Sequence, residues 1–231
     1  AVLALRLDVN DREAALVAVA QARAHFGRID VVINNAGFGV AGMLEELGEA
    51  DVRAQFDTNL FGALWVTQAV LPVMRAQKSG HILSVSSLLG IAAMPNLGLY
   101  NASKWALEGL MDSVAQEVAG MGIKVTLIEP GPYSTDFSDA SSMRFSQPIG
   151  AYEEVRHQVM AHFKPESFGD PQATAQAVLK VVDAAAPPLR IFLGAMNIHV
   201  ARQTYAERLA TWERWADVSA QAHGAPSTDQ K

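Results

Sequence analysis

A tyrosine and a lysine stand four residues apart in the stretch YNASK, at Tyr100 and Lys104. Side chains at this spacing lie on one face of a helix, so the two can meet. A phenol, with a pKa of ~10, exchanges protons at neutral pH only when a neighbouring charge, such as an ammonium, stabilises its anion. The pair therefore indicates either a general acid/base with its cation or a chance pair on an exposed helix.

Two further polar residues favour the first interpretation. Ser87 stands thirteen residues before Tyr100 and follows the β-favouring run HILSVS at 81–86. Ligands of open parallel sheets bind at the carboxyl ends of strands, where Ser87 would hold a substrate oxygen. Asn59 lies within an apolar helix and is either a hydrogen-bond hub or part of a proton path. No side chain donates hydride, so a redox site here implies a nicotinamide cofactor.

Short turns after the strands have two possible roles. The sequence NNAG at 34–37 follows a strand at 29–33 and is either an ordinary turn or a wall that a nucleotide approaches closely. The same alternatives apply to the Pro-Gly pair at 130–131. Asp8 follows the first apolar run and would either cap the next segment or hydrogen-bond an adenine, and capping is favoured in isolation.

Strand-like runs alternate with segments of helical period along the chain, which is typical of a parallel sheet covered by helices. We predict an α/β fold, a Rossmann-like doubly wound parallel sheet flanked by helices, forming one domain over 1–231. The predicted strands are 2–7, 29–33, 81–86, 123–128 and 189–193, and the predicted helices are about 12–26, 51–74, 100–121, 172–184 and 197–222.

The segment from about 134 to 170 lacks a regular period, and we predict that it is a lid on the substrate side with one short helix near 152–163. Its apolar side chains would either line a hydrophobic substrate pocket or merely anchor the loop. Both interpretations stay open at this point. These side chains are Phe137, Met143, Phe145 and Phe168.

Composition excludes several classes of function. The formal charge is −6 without acidic or basic blocks, which disfavours a nucleic-acid or polybasic membrane surface. The chain has no cysteine, so it has no disulfide or thiolate chemistry, and a cytoplasmic location is compatible with that. No apolar run approaches the ~20 residues that span a bilayer. The six histidines show no metal-ligand spacing, so we expect no metal site and a small-molecule partner.

Six motifs in order resemble the short-chain dehydrogenase/reductase family in its form of about 250 residues. They are LDV (7–9), NNAG (34–37), NLFG (59–62), VSS (85–87), YNASK (100–104) and PGPYST (130–135). The resemblance implies that Tyr100 is the general acid/base, that Lys104 lowers its pKa and binds the nicotinamide ribose, and that Ser87 orients the substrate. Asn59 would hold a water in a relay to Lys104.

The resemblance also implies which residues contact the cofactor, NAD or NADP. Asp8 and Val9 would contact the adenine. The adenosine side would be contacted by Asn34, Asn35, Ala36 and Gly37, and the nicotinamide end by Pro130, Gly131, Tyr133 and Thr135.

The implied activity is interconversion of an alcohol and a ketone or aldehyde, with a hydrophobic substrate indicated by Phe137, Met143 and Phe145. The alternative is a nucleotide-binding sensor or scaffold of the same fold without turnover. The long helices predicted at 51–74 and 100–121 could pair across a two-fold axis, giving a homodimer or homotetramer.

One departure from the family concerns its opening strand, Gly-rich turn, first helix and second strand, which have no counterpart in the sequence. Their loss would leave a gap of roughly 14 Å between the two strands that flank the missing ones in the family's sheet. We therefore expect the natural protein to carry a further N-terminal segment, which by the same resemblance would include the residue that selects NAD or NADP.

Overall fold

The computed structural model describes residues 1–139 and 142–224. Residues 140 and 141 of the predicted lid, and 225–231, lie outside the described residues. Within the described part, the strands are β1 (Val31–Asn34), β2 (Gly39–Ala41), β3 (Gly80–Val85), β4 (Ile123–Pro130), β5 (Met143–Phe145) and β6 (Arg190–Leu193). The main sheet has the order β1-β3-β4-β6 and is parallel throughout, while β2 and β5 form a small parallel pair.

Helices cover both faces of the main sheet. They are α1 (Arg12–Phe26), α2 (Glu49–Phe56), α3 (Ala63–Gln77), α4 (Gly98–Val118), α5 (Glu153–His162), α6 (Thr174–Asp183), α7 (Asn197–Arg214) and α8 (Ala216–His223). The predicted α/β fold with a helix-flanked parallel sheet is confirmed.

Two hydrophobic clusters explain why the helices lie where they do. Successive residues of a strand point to opposite faces, so Ile82 packs with α3 and α4 whereas Leu83 packs with α6. On the first face, Met74 of α3 and Met111 of α4 are fully buried against β3 and β4. Fixing α4 in this way places its first turns over the carboxyl edge of the sheet.

Some predicted elements were wrong. Residues 2–7 form no strand, and Val2, Leu5 and Leu7 are exposed. A β-propensity run becomes a strand only when a neighbour satisfies its backbone hydrogen bonds, and no described strand lies alongside 2–7. The single C-terminal helix predicted at 197–222 is two helices that meet at Trp215.

Two other segments also differ from prediction. The helix predicted at 51–74 runs from α2 into α3 through a π-helical turn at Asp57–Gly62. In the predicted lid, the short helix near 152–163 is confirmed as α5, while the three-residue strand β5 was not foreseen.

A buried histidine makes the fold sensitive to acid. His81 of β3 is 4% exposed, and its Nε2 lies 2.9 Å from the hydroxyl of Thr126, which itself donates to the Pro188 carbonyl. Nε2 therefore carries the proton. Burial, with a smaller effect of Lys124, lowers the pKa of His81 to about 4.

We expect protonation of His81 to lower the free energy of unfolding as the pH falls. The unfolded chain takes up a proton on this imidazole below a pH of ~6.5, whereas the folded chain does so only near 4, so stability declines between these values. Over this interval, His81 should lower the free energy of unfolding by about 3 kcal/mol. Urea denaturation at pH 7 and pH 4.5 should show a smaller pH dependence in His81→Gln than in the unchanged protein. The exposed His25, changed to Gln, is the control, and equal slopes for His81→Gln and the unchanged protein would contradict the prediction.

Candidate active site

Ser87 lies just past the carboxyl end of β3, between the ends of β1 and β4. The chain leaves the strand there and begins a 3₁₀ turn at Leu88–Gly90, and the Ser87 hydroxyl caps this turn by accepting from the Leu89 amide at 3.1 Å. A cap of this kind fixes the backbone at the strand end. It places a hydroxyl at the edge where ligands of parallel sheets bind.

Tyr100 and Lys104 lie in the first turns of α4 and are both buried, at 8% and 4% exposed. The Lys104 Nζ is 5.7 Å from the centre of the Tyr100 ring and donates to the Val85 carbonyl at 2.8 Å. Because Val85 is the last residue of β3 and Ser87 follows it by two, this bond ties the tyrosine's helix to the serine's strand. The structure thus brings Ser87, Tyr100 and Lys104 together.

Burial acts on the charge of both α4 residues. It raises the pKa of Tyr100 to about 12, an effect that the Ser87 hydroxyl partly opposes. Burial also lowers the pKa of Lys104 to about 8, and Glu108 opposes this shift. Tyr100 is therefore a neutral phenol at pH 7, which is the form that can give a proton away. Lowering of the Tyr100 pKa by Lys104, which the resemblance implies, is not seen in this structure, where burial dominates, and the role of Lys104 stays a prediction.

Asn59 occupies the π-helical turn between α2 and α3 and is fully buried. Its Oδ1 accepts from the Phe38 amide at 3.0 Å, and its Nδ2 donates to the Phe38 carbonyl at 2.9 Å and to the Ser103 hydroxyl at 3.0 Å. The side chain thus holds the loop after β1 against α4, which is the role of a hydrogen-bond hub. π-Helical turns of this kind are rare and frequently occur at functional sites. The water relay to Lys104 stays a prediction.

The loop NNAG passes very close to this hub. A Cβ at Gly37 would lie 3.1 Å from the Asn59 Oδ1, which is a tight contact, and 3.6 Å from the Lys104 Nζ, which is an ordinary one. Asn34 links β1 to α3 and β3, because its Nδ2 donates to the hydroxyls of Thr67 and Ser84 at 3.1 and 3.2 Å. The next two residues, Asn35 and Ala36, are exposed.

Asp8 and Val9 lie at the start of the described chain, next to the π-helical turn. Asp8 accepts from the Asn10 amide at 3.0 Å within a local turn, whereas the N-cap of α1 is Asp11, which accepts from the Ala14 amide at 3.1 Å. Val9 packs on Gly62, where a Cβ would lie 2.7 Å from its side chain. Contact of either residue with an adenine stays a prediction.

The segment after β4 reaches the same edge of the sheet. The Gly131 amide donates to the Leu193 carbonyl at 2.9 Å, and a Cβ on Gly131 would lie 2.5 Å from the Asn197 Oδ1, which excludes a side chain. Tyr133 packs on Gly169, and Thr135 accepts from the Phe137 amide at 3.3 Å. Since Pro130 is the last residue of β4, these residues lie next to the end of β3.

The four apolar side chains of the lid do not share one location. The Phe137 ring lies 5.7 Å from that of Tyr100, and Met143 meets Phe137 at Gly39. Phe145 is 69% exposed, and Phe168 packs on Phe163 at 6.4 Å between ring centres. Phe137 is therefore beside the tyrosine, with Met143 next to it. Phe168 has a partner within its own loop, as the anchoring interpretation expects.

A buried ion pair that the sequence did not reveal fastens the lid. The Glu46 side chain is fully shielded and accepts from the Ile149 amide and from Arg156, both at 2.7 Å, and from the Ser146 hydroxyl at 2.9 Å. These residues are 100 or more positions apart from Glu46, so no local pattern could have indicated the contact. We call this group the lid clasp.

Replacing Glu46 with glutamine should loosen the lid clasp. Desolvation alone would raise the pKa of Glu46, but hydrogen bonds from Ile149, Arg156, Met43 and Ser146 lower it to about 2. The clasp is therefore complete above a pH of ~4.5 and is lost as the pH falls towards 2. We expect faster amide exchange in 146–162 in Glu46→Gln at pH 7. The exposed Glu49→Gln is the control, and unchanged exchange in both variants would argue against a clasp.

Within 1–139 and 142–224, no helix has the length and apolar character needed to cross a membrane. The same residues contain no group of three or more histidine, aspartate or glutamate side chains suited to a metal ion.

The amino-acid sequence and the fold have clear counterparts among known proteins. A family model described as short chain dehydrogenase matches residues 1–144. Oxidoreductase BOA17 of Botryotinia fuckeliana is 38% identical over 94% of this chain and 80% of its own. The 3-ketodihydrosphingosine reductase of Bacteroides thetaiotaomicron is 36% identical over 83% of this chain and 72% of its own. A short-chain dehydrogenase structure from Streptomyces avermitilis aligns with a TM-score of 0.85 and 35% identity, over 94% of this chain and 80% of that one.

Proposed function

Because this chain belongs to the short-chain dehydrogenase family of oxidoreductases, we propose that it interconverts an alcohol and a ketone or aldehyde with NAD or NADP. The observation that carries the proposal is the convergence of Tyr100, Lys104 and Ser87 at the end of β3, with Lys104 bonded to the Val85 carbonyl. Acid/base chemistry on a C–OH group needs a proton donor, a stabilising cation and a group that orients the oxygen. These three side chains supply those roles.

The proton steps follow from the state of each side chain. In the reductive direction, the neutral Tyr100 gives its proton to the substrate oxygen, which the Ser87 hydroxyl orients by a hydrogen bond. Lys104 then stabilises the phenolate that remains. In the oxidative direction the same phenolate takes the proton back. When bound, the nicotinamide supplies or accepts the hydride.

The residues fit a dinucleotide beside Tyr100. Among its described contacts, the Lys104 ammonium makes one hydrogen bond, so two of its three N–H groups are free for ribose hydroxyls. Gly37 and Gly131 pack closely on Asn59 and Asn197, so a side chain at either position would displace a loop that borders the proposed cofactor site. We assign the cofactor contacts to Tyr100, Lys104, Asp8, Val9, 34–37, Pro130, Gly131, Tyr133 and Thr135.

We further propose an apolar substrate. Phe137 lies against the Tyr100 ring and Met143 is next to it, so a hydrophobic wall adjoins the acid/base. The name of the Bacteroides relative describes the reduction of a keto compound, which is the same reaction class. The lid clasp would hold this wall in place, with Phe145 at its exposed rim.

A homodimer or homotetramer is proposed through α4 and the α2–α3 run. Trp105 on α4 is 41% exposed, and Phe61 on the π-helical turn is 40% exposed and stacks on Trp65. Large exposed apolar side chains on long helices are typical of protein interfaces. Light scattering of the purified protein would give the state, and a monomer at micromolar concentration would contradict this assembly.

The function is tested by titrating the full-length protein, with the N-terminal segment expected from the resemblance, with NAD, NADH, NADP and NADPH. Hydride transfer is then assayed at 340 nm against a panel of aliphatic, steroid-like and aromatic alcohols and ketones. We expect binding of at least one cofactor pair and turnover of apolar members of the panel. Binding without turnover on any member would instead support the sensor or scaffold alternative. Absence of cofactor binding would contradict both.

A further inference from the structure

Two buried carboxyl groups, one of them a helical turn from Lys104, have no part in the proton steps above. Glu108 stands one helical turn after Lys104 on α4 and is 5% exposed, and Glu129 of β4 is 1% exposed. Carboxyl groups are almost never this buried unless they are paired or neutralised. Their presence next to the reacting residues therefore needs a physical explanation.

One guanidinium faces both carboxyls. The Arg190 Nε lies 2.9 Å from the Glu108 Oε2 and 3.8 Å from the Glu129 Oε1, while its Nη2 binds the half-exposed Asp112 at 2.8 Å. A single cation cannot balance three carboxylates, and two like charges in one buried site cannot both ionise. Burial, and then the neighbouring Glu108, raise the pKa of Glu129 well above its ordinary value. These effects favour the protonated form of Glu129, while the closer guanidinium contact, at 2.9 Å against 3.8 Å, favours the carboxylate form of Glu108.

The second oxygen of Glu108 faces the end of β3. Among the described residues, the Glu108 Oε1 and the Ser86 Oγ are buried without a hydrogen-bond partner. A Cβ at Gly90 would lie 3.2 Å from the first atom and 2.6 Å from the second, so both converge beside this glycine. Lys104 is bonded to the residue before Ser86. The negative charge is thus held close to the ammonium.

The charged or titratable groups around this charge come from three elements. Helix α4 contributes Tyr100, Lys104 and Asp112. Strand β4 contributes Glu129, and strand β6 contributes Arg190. The end of β3 and the π-helical turn contribute the uncharged polar side chains Ser86, Ser87 and Asn59. Arg190 binds carboxylates directly, whereas Lys104 has no carboxylate partner among the described salt bridges. The protonation of Lys104 is therefore expected to depend most on the charge of Glu108.

We propose that Glu108 is a positioning residue whose carboxylate, held between Arg190 and the turn at Gly90, keeps the Lys104 ammonium protonated. Burial favours the neutral amine, and an amine without its proton neither stabilises the Tyr100 phenolate nor donates to a ribose hydroxyl through all its N–H groups. The catalytic meaning of this inference rests on the proposed function, whereas the charge coupling does not.

The coupling is measured without substrate, by NMR titration of the full chain labelled with 13Cε-lysine, with Lys104→Arg used to assign the resonance. We expect Glu108→Gln to lower the pKa of Lys104 by about one unit. Glu129→Gln should leave it within about 0.3 unit, because Glu108 stays ionised. An unchanged Lys104 pKa in folded Glu108→Gln would overturn the proposal.

Asp112→Asn is the matched control, since Asp112 is one turn further along α4 and also binds Arg190. Asp112→Asn should leave the Lys104 pKa unchanged. If it shifted this pKa as much as Glu108→Gln does, the cause would be disturbance of Arg190 and not loss of the Glu108 charge. A second measurement needs no variant: 13C-carboxyl shifts of the unchanged protein at pH 7 should show Glu108 ionised and Glu129 protonated. A protonated Glu108 at this pH would overturn the proposal.

If the protein turns over a panel substrate, the basic limb of the kcat/KM profile for alcohol oxidation, where Lys104 loses its proton, should move to lower pH in Glu108→Gln by the same shift. Absence of turnover would count against the proposed function and leave the NMR result to decide the coupling. A Lys104 pKa shift without movement of the basic limb would show that the charge does not act on catalysis and would overturn the positioning role.

Discussion

Tyr100→Phe is expected to lower kcat by about 10²–10⁴-fold, the usual contribution of a positioned general acid. The variant keeps the ring that packs on Phe137 and lies near the Lys104 ammonium, and removes only the atom that carries the proton. The steady-state rate, measured in both directions on the best panel substrate, is the primary readout.

The fold and cofactor affinity of Tyr100→Phe should change little. Its melting temperature is compared with that of the unchanged protein, because the substitution removes one hydrogen bond, with Ser87, worth about 1 kcal/mol. Tyr205→Phe, at a 44% exposed position on α7, is the matched control and should retain full activity. If Tyr100→Phe bound cofactor normally and kept its rate, the acid/base role would be wrong.

The second large effect is on stability. We expect Asn59→Leu, which preserves side-chain size, to lower the free energy of unfolding by about 3 kcal/mol. The Phe38 amide would lose its partner inside the protein, and the Ser103 hydroxyl would lose a donor. The Phe38 carbonyl would still accept from Gln55 at 2.8 Å, which limits the loss.

Urea denaturation of Asn59→Leu should be compared with Asp57→Asn, an exposed change in the same π-helical turn that we expect to stay within about 0.5 kcal/mol. A loss below 1 kcal/mol in Asn59→Leu would show that the contacts to Phe38 do not hold the loop. Hydrogen exchange of the Phe38 amide gives an independent check, because that amide should become unprotected.

The sequence was informative wherever local periodicity decides position. The four-residue spacing of Tyr100 and Lys104 predicted a shared helix face, and both side chains do lie at the start of α4. The β-favouring run before Ser87 predicted a strand end, and the serine follows β3. Both predictions depend only on the helical and strand repeats, which are properties of the backbone.

The parts that could not be predicted depend on contacts between distant residues. Glu46 and Arg156 are 110 residues apart, and nothing in either neighbourhood indicates the other. Residues 2–7 have strand composition, but a strand also needs a neighbour to pair with. Asn34 matched a cofactor motif, yet its amide binds Thr67 and Ser84, and only the packing of α3 and β3 against β1 reveals this.

The bond from Lys104 to the Val85 carbonyl attaches the first turns of α4 to the main sheet rather than to the loops around it. Under the proposed function, changes in the lid would then alter which substrates enter while the spacing of Ser87 and Tyr100 stays constant. Substrate range and proton transfer would in this sense depend on different parts of one chain. A library of variants confined to 143–170, which leaves Thr135 and Phe137 unchanged, would search new substrates without replacing a residue assigned to proton transfer or packed on Tyr100.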